Sequence, residues 1–321
     1  MPELPEVESL RRRLSPRLTG HSISQLTVRD AKLWHPAPGL AAEAVAGRRI
    51  VSLERHAKLT VFSLEGDFAL VLHLKIAGQV VYQALSGERI AGGHPYPLPG
   101  SLLPDASTRF IVALDDGAQL FINDQRRFCW LRLLPAAEVA PFVAKHRYGP
   151  DPLDASFTPP RLAERLRLRR GRPIKAALLD QTCIAGLGNI YADESLHHAR
   201  LHPARRAGDL APEEVVRLHA AIKRVLDLAV PVGGAIVKNG RAEADSVSGR
   251  DFLLAHGRAG ELCLGCQAVA AGAATGDAGP PRPASPGAGR IVRAVIAGRG
   301  TYYCPECQPA PAERAEAKCT C

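Results

Sequence analysis

No stretch of the 321 residues approaches the roughly 20 consecutive apolar positions needed to cross a bilayer, so no membrane-spanning helix is expected. The opening MPELPEVESL lacks the basic residues and apolar run of a secretory signal and carries acids instead. Export is therefore not expected, and a reducing, cytoplasmic setting is. In that setting the eight cysteines are poor disulfide candidates. Acids are also in deficit, 32 against 41 Lys and Arg, and the formal charge of +9 favours a polyanionic partner through counterion release. What is present is ordinary globular material: 46% hydrophobic and 23% charged residues, enough for two domains or for one elaborate domain with an added module.

The pattern changes along the chain. Val7, Leu10, Leu14 and Leu18 recur at helical spacing behind Pro5, which suits a first helical turn. Alternating apolar positions then mark strands at Ile50 to Leu53, Leu59 to Leu64, Phe68 to Leu74, Val80 to Tyr82, Phe110 to Leu114 and Gln119 to Ile122. Gly66 and Asp115-Asp116-Gly117 supply turns, and the whole predicts an antiparallel β sandwich or barrel. Prolines and glycines between 135 and 160 read as an interdomain connection. From Arg161 the period becomes helical, with Val215, Leu218, Ile222, Val225, Leu226 and Ala229 on one face. Residues 270–290 hold sixteen Ala, Gly or Pro among 21 positions, too little large apolar surface to repay ordering, and read as a flexible insert.

Three features carry chemistry. Loss of Met1 would free the amine of Pro2. An α-amino group titrates near 8 and lysine near 10.4, so roughly several hundred times more of it is in the attacking, neutral form at pH 7. Glu3 and Glu6 lie within reach to handle protons, although acids and proline at a helix start are also ordinary capping chemistry. Second, Cys263-x2-Cys266 and Cys304-x2-Cys307 suit four thiolates around one structural, tetrahedral Zn²⁺. Third, seven basic residues and one acid lie between Arg161 and Lys175, which reads either as a phosphate track or as a solvated helix face.

MPELPEVE, Arg55-His56-Ala57-Lys58, Asp124-Gln125-Arg126-Arg127-Phe128, the run Ala185 to Ala192 (AGLGNIYA) and the paired cysteines occur in one order. Together they resemble the formamidopyrimidine-DNA glycosylase and endonuclease VIII family over residues 1 to about 308, and Leu4 is similar to the formamidopyrimidine branch. The resemblance implies an α+β fold. Residues 1–134 would form an N-terminal helix and catalytic β sandwich, 135–160 a linker, 161–257 a helix-two-turns-helix domain, 258–308 a zinc hairpin and 309–321 a tail. It implies Pro2 as Schiff-base nucleophile, Glu3 as proton donor, Glu6 as supporting carboxylate, and Lys58 and Arg299 as aids to elimination and phosphate contact.

Arg126 and Phe128 would enter the duplex in place of an extruded nucleotide, with Ile76 standing where the family has methionine. Asn189 would meet phosphate, and so would Arg170 and Lys175. Read alone, Phe128 would be a core aromatic, Lys58 an exposed strand residue, Arg299 a surface arginine and the glycine run only a turn. The chain departs from the family at Gln125 for proline, at Cys129 for glycine, in the 37 residues between Cys266 and Cys304, and in Cys319 and Cys321 of the tail. Residues 235–257 stand where the family carries a loop over an extruded 8-oxopurine.

The expected activity is that of a bifunctional glycosylase and abasic-site lyase, monomeric, acting on oxidised bases (formamidopyrimidine and 8-oxoguanine type) in duplex DNA through β- and then δ-elimination. The competing readings are a zinc-containing binder of damaged or bent DNA without turnover, and a glycosylase preferring oxidised pyrimidines.

Overall fold

The structure, a computed structural model, describes residues 1–98, 100–235, 237–238, 241–242, 252–270 and 289–311. The expected loop at 235–257, the insert at 270–290 and the Cys319/Cys321 tail lie largely or wholly outside the described residues. Helix α1 (Leu4–Leu18) opens the chain and buries Leu4, Val7, Leu10, Leu14 and Leu18. One antiparallel sheet has the order β1 (Ile23–Val28), β7 (Thr108–Leu114), β8 (Gln119–Asp124), β5 (Gly78–Gln83), β6 (Arg89–Gly93). The other has the order β2 (Ile50–His56), β3 (Leu59–Leu64), β4 (Phe68–His73), β9 (Trp130–Pro135). Strand alternation divides the second sheet's side chains cleanly. Phe62, Leu64, Leu70 and Leu72 enter the sandwich core, whereas Leu59, Val61, Ala69 and Val71 face the other way. Helix α1 packs along the edge strands β2 and β6, one from each sheet, and drives Leu10, Leu14 and Leu18 into the core between them.

The outward face of the second sheet corrects one expectation. The stretch read as a connection contains α2 (Ala136–Ala144), whose Val139, Phe142 and Val143 cover Leu59, Val61 and Val71. Pro141 inside the segment obscured the helix in the sequence. Strands β1, β6 and β9 were not anticipated either: β1 buries only Ile23 and Leu26, and β6 ends in glycines.

The helical part holds α3 (Pro159–Arg167), α4 (Ile174–Leu179), α5 (Asn189–His198) and α6 (Pro212–Ala229) around its own core. The six positions expected on one face of α6 are all buried. Leu4 belongs to this core and not to that of the sandwich, so α1 is rooted in both bodies. Beyond lie α7 (Leu264–Ala270) and a hairpin of β10 (Val292–Ile296) and β11 (Arg299–Tyr303). Its turn residues Ala297 and Gly298 both have positive φ, 50° and 73°, as a two-residue turn of this handedness requires. Among the described residues no helix is long and apolar enough to cross a membrane.

Leu14→Ala would remove a fully buried side chain from the sandwich core without touching Leu4. A loss of about 3 kcal/mol is expected in the urea midpoint.

Candidate active site and nucleic-acid interface

Pro2 is buried at the mouth of α1, whereas Met1 ahead of it is 52% exposed and open to removal. The Glu3 backbone N–H donates to Glu6 Oε2 at 2.8 Å, which fixes the first turn. The next N–H, that of Leu4, donates across to the Gly186 carbonyl at 3.1 Å. The N-terminus is thereby pinned between the two bodies. Gly186 takes φ +79°, and the Gln181 side chain shapes its loop by accepting from Gly186 N–H at 2.8 Å and donating to the Leu187 carbonyl at 2.7 Å.

Glu3 lies across Gly188, where a Cβ would stand 2.2 Å from its carboxyl carbon, so only glycine leaves room. Its Oε1 accepts from Ile190 N–H at 3.3 Å at the start of α5. Its Oε2 is buried and makes no hydrogen bond, leaving one oxygen for chemistry.

Glu6 is held more completely. Tyr191 Oη donates to its Oε1 at 2.6 Å and Ala235 N–H does so at 2.9 Å, while Gly234 gives the space. Burial, reinforced by the neighbouring Glu3, pushes the Glu6 carboxyl up to about 7. Lys58 lies in the two-residue turn between β2 and β3, after Ala57 with φ +55°. Desolvation lowers its pKa, while Glu3 and Glu6 pull the other way. The structure therefore brings Glu3, Glu6 and Lys58 together beside Pro2. It adds His73 on β4, held neutral by burial and by the charges of Lys75 and Lys58. Nothing in the sequence singled out His73, which there closes an apolar strand.

A second group of expected residues sits on neighbouring turns. Ile76 is 39% exposed between β4 and β5. Arg126 and Phe128 project from the turn between β8 and β9, with the guanidinium 5.0 Å from the ring centroid. Phe128 is 47% exposed, which removes the core-aromatic reading. Buried Asp124 shapes this turn by accepting from the backbone N–H groups of Arg126, Phe128 and Cys129 at 2.8, 2.9 and 2.7 Å. The buried Cys129 and exposed Gln125 fit within that clamp, so the two departures leave a defined turn.

The basic stretch divides on inspection. Arg161 pairs with Glu164, Arg169 and Arg172 pair with Asp180, and Arg165 donates to the Thr182 carbonyl. Arg167 and Arg170 are exposed, with no ion pair among the described residues. Lys175 is corrected from a surface contact to an interior one: it is 0% exposed, its Nζ 2.5 Å from Asp193 Oδ1 and donating to the Gly300 carbonyl at 3.1 Å. Asn189 Nδ2 donates to the same carbonyl at 3.0 Å, while its Oδ1 is buried without a partner. Next to Gly300, Arg299 is exposed at the hairpin.

Cys263, Cys266, Cys304 and Cys307 place their sulfurs within 4.8 Å of one another. Two Sγ–Sγ separations are 3.7 Å and one is 3.1 Å. Tetrahedral thiolates at 2.3 Å from a zinc ion would lie about 3.8 Å apart, so the donor set fits. Two outer contacts went unread in the sequence. His197 Nε2 lies 3.3 Å from Cys263 Sγ, and Gln308 accepts from Cys304 N–H while donating to the Leu201 carbonyl.

A DNA glycosylase is the class that this fold and pocket define. Family models described as the formamidopyrimidine-DNA glycosylase N-terminal domain and H2TH domain match residues 1–131 and 148–240. The chain is 39% identical to the formamidopyrimidine-DNA glycosylase of Chloroflexus aurantiacus, covering 96% of this chain and 98% of that one. It is 40% identical to that of Symbiobacterium thermophilum over 97% and 90%. Among solved structures, wild-type Lactococcus lactis Fpg with DNA containing N7-benzyl-Fapy-dG superposes with a TM-score of 0.77 at 28% identity, over 96% of this chain and all of that one. The same enzyme with DNA containing an abasic site gives 0.75. The chain belongs to the formamidopyrimidine-DNA glycosylase family.

Because the folded state binds the Glu6 proton more tightly than the unfolded chain does, the stability from this group is complete below about 4.5. It is lost as pH rises through about 7. The loss is about 3 kcal/mol. Urea midpoints between pH 5 and 8 should show it, and Glu6→Gln should flatten that slope while lowering stability throughout, since its amide would oppose the Glu3 N–H.

Proposed function

We propose that this chain excises oxidised bases of the formamidopyrimidine and 8-oxoguanine type from duplex DNA and then cleaves the strand, with the freed Pro2 amine as nucleophile. The observation that carries the reading is the N-terminus buried beside Glu3, Glu6 and Lys58, with an unpartnered Glu3 oxygen in the same pocket. The amine attacks C1′ as the glycosidic bond breaks, and the departing base takes a proton from Glu3. The C1′–O4′ bond then opens, O4′ taking up the proton that the amine gives up, and the resulting iminium acidifies C2′. Loss of that proton expels the 3′ phosphate, and a second elimination expels the 5′ phosphate, leaving a one-nucleotide gap. Glu6 supports the site from inside the protein, through its hold on the first turn of α1. Lys58 and Arg299 supply positive charge to the phosphates and assist elimination.

Such chemistry requires the nucleotide to leave the stack, at a cost of a few kcal/mol. Ile76, Arg126 and Phe128 stand on exposed turns suited to filling the gap, the cation facing the orphaned base and the aromatic wedging the step. Arg170 and the N-terminal end of α5, with Asn189, face the flanking phosphates. The four thiolates hold one structural Zn²⁺ that braces the hairpin carrying Arg299. Six cysteines unpaired among the described residues suit the reducing cytoplasm, where the chain acts as a monomer.

On a duplex with one abasic site, borohydride should trap a one-to-one covalent adduct that maps by mass spectrometry to the N-terminal peptide and is lost in Pro2→Gly. An adduct on Lys58, or binding with no adduct, would overturn the assignment. Metal analysis should find one zinc per chain. Cys304→Ser should lose it together with most affinity for the abasic duplex, while the melting of the sandwich changes little.

A further inference from the structure

Arg55 is charged, yet its side chain is only 7% exposed, and its Nε and one terminal nitrogen serve three oxygens. Its Nε donates to Glu8 Oε2 on α1 at 3.0 Å. One terminal nitrogen donates to the Ala57 carbonyl at 3.0 Å and lies 2.7 Å from Asp151 Oδ2. These three acceptors belong to three different parts of the molecule. Glu8 is on the helix that presents Pro2, and Arg11 and Arg12 hold it in place at 2.8 and 2.7 Å. Ala57 is the turn residue directly before Lys58, in a left-handed conformation that alanine does not prefer. Asp151 lies beyond α2, on a segment laced to the loop that feeds α5. Gly149 N–H donates to the Gln181 carbonyl at 2.8 Å, and Ala185 N–H donates to the Pro150 carbonyl at 3.0 Å. At Gly149 a Cβ would come within 2.3 Å of the Cys183 carbonyl oxygen, so the two segments are in close backbone contact.

We infer that Arg55 is a positioning residue: its guanidinium registers the Lys58 turn against α1 and, through Asp151, against the helix-two-turns-helix loop, so that Lys58 reaches its working place only when the two bodies are seated together. The geometry asks for a fork. Arginine offers two nitrogens in a fixed plane, Nε to Glu8 and one terminal nitrogen to Ala57 and Asp151, whereas a lysine in its place has a single nitrogen that cannot serve Glu8 and the Ala57–Asp151 pair at once. Burial raises the cost of any mismatch, because a carbonyl or carboxylate left without its donor here has little water to turn to. The strained Ala57 conformation would then relax and carry Lys58 with it.

This inference rests on the role given to Lys58 above, and the test separates the two. Single-turnover cleavage of an abasic duplex is measured for the wild type, Lys58→Met, Arg55→Lys, Asp151→Asn and the double variant Arg55→Lys/Lys58→Met, with melting temperatures alongside. Arg55→Lys and Asp151→Asn should each slow cleavage about tenfold with duplex affinity within about twofold of wild type. The slowing should vanish in the Lys58→Met background. If Arg55→Lys slows cleavage equally with and without Lys58, positioning of that lysine is overturned. If Asp151→Asn cleaves at the wild-type rate, the link to the helical body is overturned. Asp151 is partly exposed and tolerates asparagine, so this arm stands should Arg55→Lys fail to fold. If Lys58→Met itself cleaves normally, the role of Lys58 fails, and with it the premise.

Discussion

The hydrogen bond from Leu4 N–H to the Gly186 carbonyl is the contact on which the rest of the molecule turns. It joins the first residue of α1 to the loop of the helical body, and Leu4 itself packs in that body's core while Leu10, Leu14 and Leu18 pack in the other. A short helix with its two ends in different cores cannot slide or rotate without opening one of them. The consequence for chemistry is direct: Pro2 and Glu3 immediately precede the first turn and Glu6 lies within it, so the placement of the reactive groups is inherited from packing that involves two domains. Gly186, Gly188 and Gly234 are the positions where this approach is close enough to leave no space for a side chain.

Charge is arranged around that contact in layers. Two carboxylates are buried side by side. Glu3 accepts from Ile190 N–H at the start of α5, and Glu6 is driven toward the neutral form by burial beside it. The amines nearby follow the same logic. Lys58 is made less willing to carry its proton by burial, and the Pro2 amine would meet the positive end of α1.

Much of this was legible in the amino-acid sequence, and the parts that were not share a cause. Strands β2 to β5, with β7 and β8, were legible from their short β-branched and apolar runs between turn signals, as was the buried face of α6 from its helical period. The active-site groups were legible because they cluster in a short motif at the chain start. Helix α2 was hidden by prolines that it tolerates, and β9 by its role as a partner to β4 rather than by any pattern of its own. Lys175 shows the deeper limit. A lysine in a run of arginines reads as surface charge, and only Asp193, eighteen residues later and one helix away, gives it an interior partner. His197 and Gln308 were illegible for a similar reason, since their value depends on thiols and carbonyls distant in the chain.

The carbonyl of Gly300 receives two donors from the helical body, Lys175 and Asn189, one residue away from the hairpin arginine. A main-chain oxygen cannot be altered by substitution at its own position. The tilt of the hairpin is therefore written in residues outside it, and drift in the hairpin's own sequence can proceed while its aim is conserved. A longer or shorter stretch between the two cysteine pairs would leave these two donors, and the tip they aim, in place.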